Sequence, residues 1–149
     1  MAVIEWGGFC QLSEALEALG TRGRVFIITD ASVGALYADA AGALLANEGM
    51  MRPYVFTVPA GEASKSFACF QQIIDWLVER RAERSEPLIA LGGGVVGDLV
   101  GFVASCYQRG VPLVQIPTTL LAQVDSAIGG KTGINHPQGK NLIGAYYQP

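Results

Sequence analysis

The chain has 149 residues, half of them apolar, which suits one domain with its own core and excludes a disordered chain. Only 15% are charged, against a usual ~25%; this fits either a surface covered by another domain or subunit, or a compact Gly- and Ala-rich domain. Ten basic residues against 13 acidic give a net charge of -3, so no nucleic-acid partner is expected, and no apolar run approaches the ~20 residues that span a bilayer.

Met1-Ala2-Val3-Ile4-Glu5 sets no basic segment ahead of an apolar run, so no signal peptide is expected. Val25-Phe26-Ile27-Ile28-Thr29, opened by Gly23 and closed by Asp30, reads as a buried parallel strand. Ala35 to Asn47 predicts a helix, with Gly49 as its stop. Tyr54-Val55-Phe56-Thr57-Val58 is the second strand, ended by Pro59. Ser64 is the expected N-cap of a helix whose Phe67, Phe70, Ile74, Leu77 and Val78 make one apolar face. The run Glu79 to Arg84 reads as a solvated charged turn.

Pro87-Leu88-Ile89-Ala90-Leu91 is the third strand and leads straight into glycines. Val96 to Tyr107 predicts a helix stopped near Gly110, and Pro112-Leu113-Val114-Gln115-Ile116 a fourth strand. Pro117-Thr118-Thr119 opens a short helix from Leu120 to Ile128. From Gly129 onward the sequence is aperiodic and reads as a polar loop. Cys10, Cys69 and Cys106 are odd in number and widely spaced, so they are expected as reduced, buried thiols of a cytoplasmic protein. Alternating strands and helices predict an α/β domain over residues 1–149, with a Rossmann-like parallel or mixed sheet flanked by helices.

Ligands of such sheets collect at the carboxyl ends of the strands. Gly92-Gly93-Gly94-Val95-Val96-Gly97-Asp98 follows a strand, opens a helix and contains Gly-x-Gly-x-x-Gly, the dinucleotide fingerprint. Glycines admit a pyrophosphate close to the backbone, and the helix start offers free N–H groups. The motif also serves as a tight strand-to-helix turn, and it follows the third strand rather than the first. Asp30 is placed to accept from a ribose diol or to cap a helix. Glu62 and Lys65, three apart, either share one side of the site or form a surface ion pair. Thr118 and Thr119 present hydroxyls to a ligand or to a helix start. Asp125 to Asn141 sets Lys131, Lys140, Asn135 and Asn141 beside one carboxylate, as an anion-binding loop does. His136, the single histidine, has no neighbouring ligand types in the sequence, so no metal site is expected within this chain.

Pro59-Ala60-Gly61-Glu62-x-x-Lys65, Gly92-Gly93-Gly94-x-x-Gly97-Asp98, Pro117-Thr118-Thr119-Leu120-Leu121, Gly129-Gly130-Lys131-Thr132-Gly133-Ile134-Asn135 and Gly139-Lys140-Asn141-Leu142-Ile143-Gly144 follow one another in this order. Together they resemble 3-dehydroquinate synthase, over nearly the whole chain and most strongly from Leu88 to Pro149. The resemblance implies an N-terminal NAD-binding domain of an enzyme that converts 3-deoxy-D-arabino-heptulosonate 7-phosphate to 3-dehydroquinate and phosphate in the shikimate pathway. It implies NAD contacts at Asp30, Glu62, Lys65, Gly93, Gly94, Asp98, Thr118 and Thr119. Asp125 and Lys140 match positions at nicotinamide, ribose or substrate hydroxyls, and Lys131 and Asn141 match substrate contacts. Arg109 matches an arginine that reaches the partner subunit's site, so a homodimer is implied.

The family also uses a divalent metal, zinc or cobalt. Its ligands lie in a C-terminal helical domain that this sequence does not reach. The chain is therefore expected to be part of a longer enzyme and inactive alone. Two other readings remain: another sugar phosphate cyclase, such as an inosose or valiolone synthase, and a stand-alone NAD-binding module.

Overall fold

The computed structural model describes residues 11–18, 20–21, 23–47 and 53–149. In chain order it contains α1 (Leu12–Ala18), β1 (Phe26–Asp30), α2 (Ala31–Asn47), β2 (Tyr54–Val58), α3 (Phe67–Glu79), β3 (Leu88–Gly92) and α4 (Gly94–Cys106). There follow β4 (Leu113–Pro117), the short helical pieces α5 (Leu120–Val124) and α6 (Ser126–Gly129), β5 (Lys131–His136) and β6 (Gly139–Tyr146). Four strands form one sheet in the order β2-β1-β3-β4, and every pair is parallel. The expected α/β sheet is thus parallel throughout. The antiparallel pairing sits apart, in the hairpin of β5 and β6.

Successive side chains of a strand point to opposite faces, and here both faces are covered. Ile27, Ile89 and Leu91 meet Leu12 and Leu16 of α1 and Ala41 and Leu45 of α2. Phe26, Ile28, Leu88 and Ala90 meet α3 and α4 through Ile73, Leu77, Leu99 and Val103. All five residues of β3 are buried, so its sequence is a continuous apolar run rather than an alternating one. The edge strand β2 leaves Tyr54 and Val55 exposed.

A polar clamp closes the amino end of the sheet. Arg24 grips Glu86 with two bonds, Nε to Oε1 at 2.7 Å and Nη2 to Oε2 at 2.9 Å. Its remaining donors reach the carbonyls of Arg80 and Arg81, each at 2.8 Å. Bidentate geometry of this kind is among the stronger charge-assisted bonds. Of the run Glu79 to Arg84, Arg80 is not simply solvated: its guanidinium lies 4.9 Å from the Trp76 ring.

Several sequence expectations need correction. Helix α2 starts at Ala31, not Ala35, because Asp30 Oδ1 accepts from the N–H groups of Ser32 and Val33 and starts the helix there. Ser66, not Ser64, caps α3, accepting from Cys69 N; the Ser64 hydroxyl donates to Pro59 O instead. The buried face of α3 is Cys69, Ile73, Trp76 and Leu77, whereas Phe67 and Val78 are exposed. The helix expected from Leu120 to Ile128 breaks at Asp125 into α5 and α6.

The stretch after Gly129 is a β-hairpin rather than a loop. Gly133 and Gly144 face each other so closely that a Cβ on Gly133 would lie 2.5 Å from Ile143 O. Cys69 is buried as expected, but Cys106 is exposed. Cys10, Gly49 and Met1 to Glu5 lie outside the described residues. Among the described residues no helix is long and apolar enough to cross a membrane.

Ile89 sits at the centre of the sheet with no exposure. Ile89→Ala should lower the urea-unfolding free energy by about 2–5 kcal/mol through lost burial and the cavity left behind. A loss below about 1 kcal/mol would show that the face of β3 toward α1 and α2 is not tightly packed.

Candidate functional site

The chain runs from β1 outward to β2, then crosses back over β1 to β3 and on to β4. Helix α2 therefore lies on one face and α3 and α4 on the other. A crevice opens where the order reverses, between the carboxyl ends of β1 and β3. Asp30 ends β1, and Gly92 ends β3 beside it, one residue past the Thr29–Leu91 pair.

The glycines serve different ends. A Cβ on Gly92 would come 2.6 Å from Val96 Cγ2, so a side chain there would break the strand-to-helix turn. Gly93 occupies the N-cap of α4 with no side-chain cap, and a Cβ there would meet Thr119 Cγ2 at 3.3 Å. A Cβ on Gly94 would face Ser126 Oγ at 3.4 Å. Gly97, the last glycine of the motif, makes room for Gln115, whose Oε1 would be 2.6 Å from its Cβ. The first N–H groups of α4 lack helical acceptors and carry the positive end of the helix dipole. Around them Thr118 Oγ1, Ser126 Oγ and Gln115 Nε2 are buried without a hydrogen-bond partner. Uncompensated polar atoms of this kind are costly, and a polar ligand at the helix start would relieve them. These observations fit a dinucleotide pyrophosphate.

Beside the crevice Lys65 is buried, 4% exposed. Its Nζ donates to Asp98 Oδ2 at 2.6 Å and to Asn141 Oδ1 at 2.5 Å. Of the two readings of Glu62 and Lys65, the surface ion pair does not form; Glu62 Oε1 accepts from Asn135 Nδ2 at 2.8 Å. Burial pushes the Asp98 carboxyl above its ordinary range, the bond and charge of Lys65 pull it back, and the charges of Glu62 and Asp125 push it up.

Asn141 has φ 56°, a left-handed conformation that Asn adopts more readily than most residues. It lies where the β5–β6 register shifts, between the Ile134–Ile143 and His136–Gly139 pairs. Bulges of this sort turn a side chain out of the ladder, and here Asn141 is turned onto Lys65. Because an ammonium can only donate, the Asn141 oxygen must face it. The Asn141 amide nitrogen is left to face outward.

The other expected residues are more dispersed. Thr119 Oγ1 caps α5, accepting from Ala122 N at 3.2 Å. Asp125 stands exposed at the break between α5 and α6. Lys131 pairs with Tyr146 at the end of the hairpin away from Asn141, and Lys140 is exposed near the turn. Arg109 follows the carboxyl end of α4, remote from the glycine turn at the other end of that helix. Lys131, Lys140 and Arg109 form no ion pair with any described residue. Leu120, Leu121, Val124 and Ile128 form an exposed apolar stripe on the same segment as Thr119 and Asp125.

The structure adds two residues with no role in the sequence reading and gives Asn135, read there only as part of an anion-binding loop, specific partners. Gln115 and Ser126 are visible only as buried polar atoms. Asn135 was part of a quoted motif, but its partners are distant in sequence. Among the described residues no three His, Cys, Asp or Glu side chains gather as a metal would need. His136 Nδ1 accepts from Gln138 N in the hairpin turn.

Residues 55–149 match the family model described as 3-dehydroquinate synthase N-terminal. The 3-dehydroquinate synthase of Paracoccus denitrificans (strain Pd 1222) is 53% identical over 143 residues, which are 96% of this chain and 39% of that protein. The chain thus spans about two fifths of that relative's length. A solved structure of ValA, the 2-epi-5-epi-valiolone synthase of Streptomyces hygroscopicus subsp. jinggangensis with NAD+ and Zn2+ bound, superposes with a TM-score of 0.84 at 32% identity. The match covers 99% of this chain and 42% of that one. 2-Deoxy-scyllo-inosose synthase complexed with carbaglucose-6-phosphate, NAD+ and Co2+ gives 0.82 at 27% identity, over 91% of this chain and 38% of that one. With the family model covering most of its length, the chain belongs to the 3-dehydroquinate synthase N-terminal family.

Proposed function

We propose that this chain is the NAD-binding part of a 3-dehydroquinate synthase, which converts 3-deoxy-D-arabino-heptulosonate 7-phosphate to 3-dehydroquinate and phosphate. One observation carries the reading. A dinucleotide cradle at the strand-order reversal lies directly beside the buried Lys65 ammonium, which is held by Asp98 and Asn141. The two cyclases solved with NAD+ share this fold, while the higher identity to a 3-dehydroquinate synthase favours that substrate over theirs.

Each residue has a defined task in this reading. The N–H groups around Gly93 and Gly94 hold the pyrophosphate. Asp30 spends Oδ1 on α2 and keeps Oδ2 for a ribose hydroxyl. Thr118 contributes its unpartnered hydroxyl, and Glu62, Lys65 and Asp98 shape the wall beside it. Thr119 acts mainly by holding α5 against the turn. Asp125 and Lys140 serve the nicotinamide end and substrate hydroxyls. Asn141 and Lys131 take the substrate phosphate, joined by Arg109 from a partner subunit in a homodimer. Bound NAD supplies a transient oxidation of a ring hydroxyl, which loosens the neighbouring C–H and lets phosphate leave. Fixed donors and charges at that phosphate are this domain's part of the catalysis.

Among the described residues no group of side chains fits the family's metal. A further domain, such as the longer relatives have room for, would hold it and would cover the Leu120, Leu121 and Val124 stripe. Such an enzyme works in the cytoplasm.

Calorimetry on the 149-residue chain should show NAD binding. Gly93→Ala should weaken it more than about tenfold, because its methyl group enters the pyrophosphate seat, while Thr119 Cγ2 at 3.3 Å need shift only slightly. Its unfolding midpoint should stay within a few degrees, since the Gly93 backbone is extended. Equal affinity in both proteins, or no binding by the wild type, would sink the proposal. With NAD and zinc added, the chain alone should release no phosphate above background, and sustained release would show that a second domain is not required.

Asp98 gives a pH test. Its folded pKa lies above the ordinary value of 3.8, so the fold binds its proton more tightly than the unfolded chain does. That stabilisation is full below the unfolded pKa and is lost as pH rises through the folded one. Asp98→Asn removes the titration. Its stability relative to wild type should therefore rise as pH climbs from the ordinary value of 3.8 through the raised folded one in urea unfolding; a constant difference would show that Asp98 titrates normally.

A further inference from the structure

Three of the expected site residues meet on Asn135. Its main-chain N–H donates to Lys65 O at 2.8 Å. Its Nδ2 donates to Glu62 Oε1 at 2.8 Å, and its Oδ1 accepts from Asn141 N at 2.9 Å. Asn141 Oδ1 in turn accepts from the Lys65 ammonium. The bonds therefore close a ring that leaves the Lys65 main chain, passes through Asn135 and Asn141, and returns to the Lys65 side chain.

The ring has a physical purpose. The bulge takes the Asn141 N–H out of the β5–β6 ladder, where only water or a side chain can accept from it, and the Asn135 carboxamide supplies a fixed acceptor. It does so without adding charge next to Lys65. The same carboxamide plane offers its donor to Glu62, so one group serves both sides.

We propose that Asn135 is a positioning residue. It locks the bulge so that the Asn141 oxygen meets Lys65. Through Glu62 it ties that setting to the cofactor wall. The proposal rests on the assignment of Glu62 to NAD and Asn141 to substrate, and its test separates the two.

The test uses the 149-residue chain, with amide hydrogen exchange followed by NMR and NAD affinity by calorimetry. Asn135→Ala removes both side-chain bonds and keeps the main-chain one. Exchange at Asn141 should accelerate by about tenfold or more, and NAD affinity should fall about three- to tenfold. Asn135→Asp keeps the acceptor but sets a carboxylate against Glu62. It should restore slow exchange at Asn141 without restoring NAD affinity, a separation that a merely structural role would not produce. Unchanged exchange in Asn135→Ala overturns the proposal, as does equal loss of protection in the two variants. Should Asn135→Ala fail to fold, Asn135→Asp alone decides, because fast exchange at Asn141 in that variant contradicts the ring. A wild-type chain that binds no NAD removes the functional reading instead, and the exchange comparison still reports on the ring.

Discussion

A buried ammonium organises the working end of this domain. Removing a charge from water costs several kcal/mol unless it is paired and fully hydrogen-bonded, and Lys65 is 4% exposed. It is satisfied by Asp98 from α4 and Asn141 from β6. Three separate pieces of chain must therefore converge: the segment after β2, the second turn of α4 and the hairpin. Each is anchored elsewhere by apolar packing, and Ile134 of β5 joins the same core as Val100 of α4. Their meeting at Lys65 turns a packed sandwich into a shaped crevice.

The parallel sheet was legible because its chemistry is local. Each strand is a short apolar run, buried on both faces in β1 and β3, and each was placed to within a residue. Capping was harder, because several hydroxyls and carboxylates compete within a few positions and only the chain's path decides among them. Asp30 and Ser66 won at their helices, and Ser64 was drawn to Pro59 O. The hairpin escaped notice because glycines occupy the pair where alternating side chains would have announced it. No periodicity remains where two backbones need to touch.

The site divides in the same way. The glycine turn and the strand-end residues could be read from sequence, since position after a strand is a local property. The partners of Lys65 could not, because they lie 33 and 76 residues away. Glu62 was the nearer choice and proved to be bonded elsewhere. Gln115 and Ser126 carry no sequence signal, because being buried and unpartnered is a property of the assembled fold.

The Arg24 clamp holds the strands at their amino end, and the glycine turn, Asp30 and the Lys65 contacts stand at the other. Segments that carry chemistry can therefore be rewritten while the frame that positions them keeps folding. ValA and 2-deoxy-scyllo-inosose synthase retain this backbone with two thirds or more of the aligned residues changed. A scaffold fastened at one end and reactive at the other leaves room for new substrates to be acquired one loop at a time.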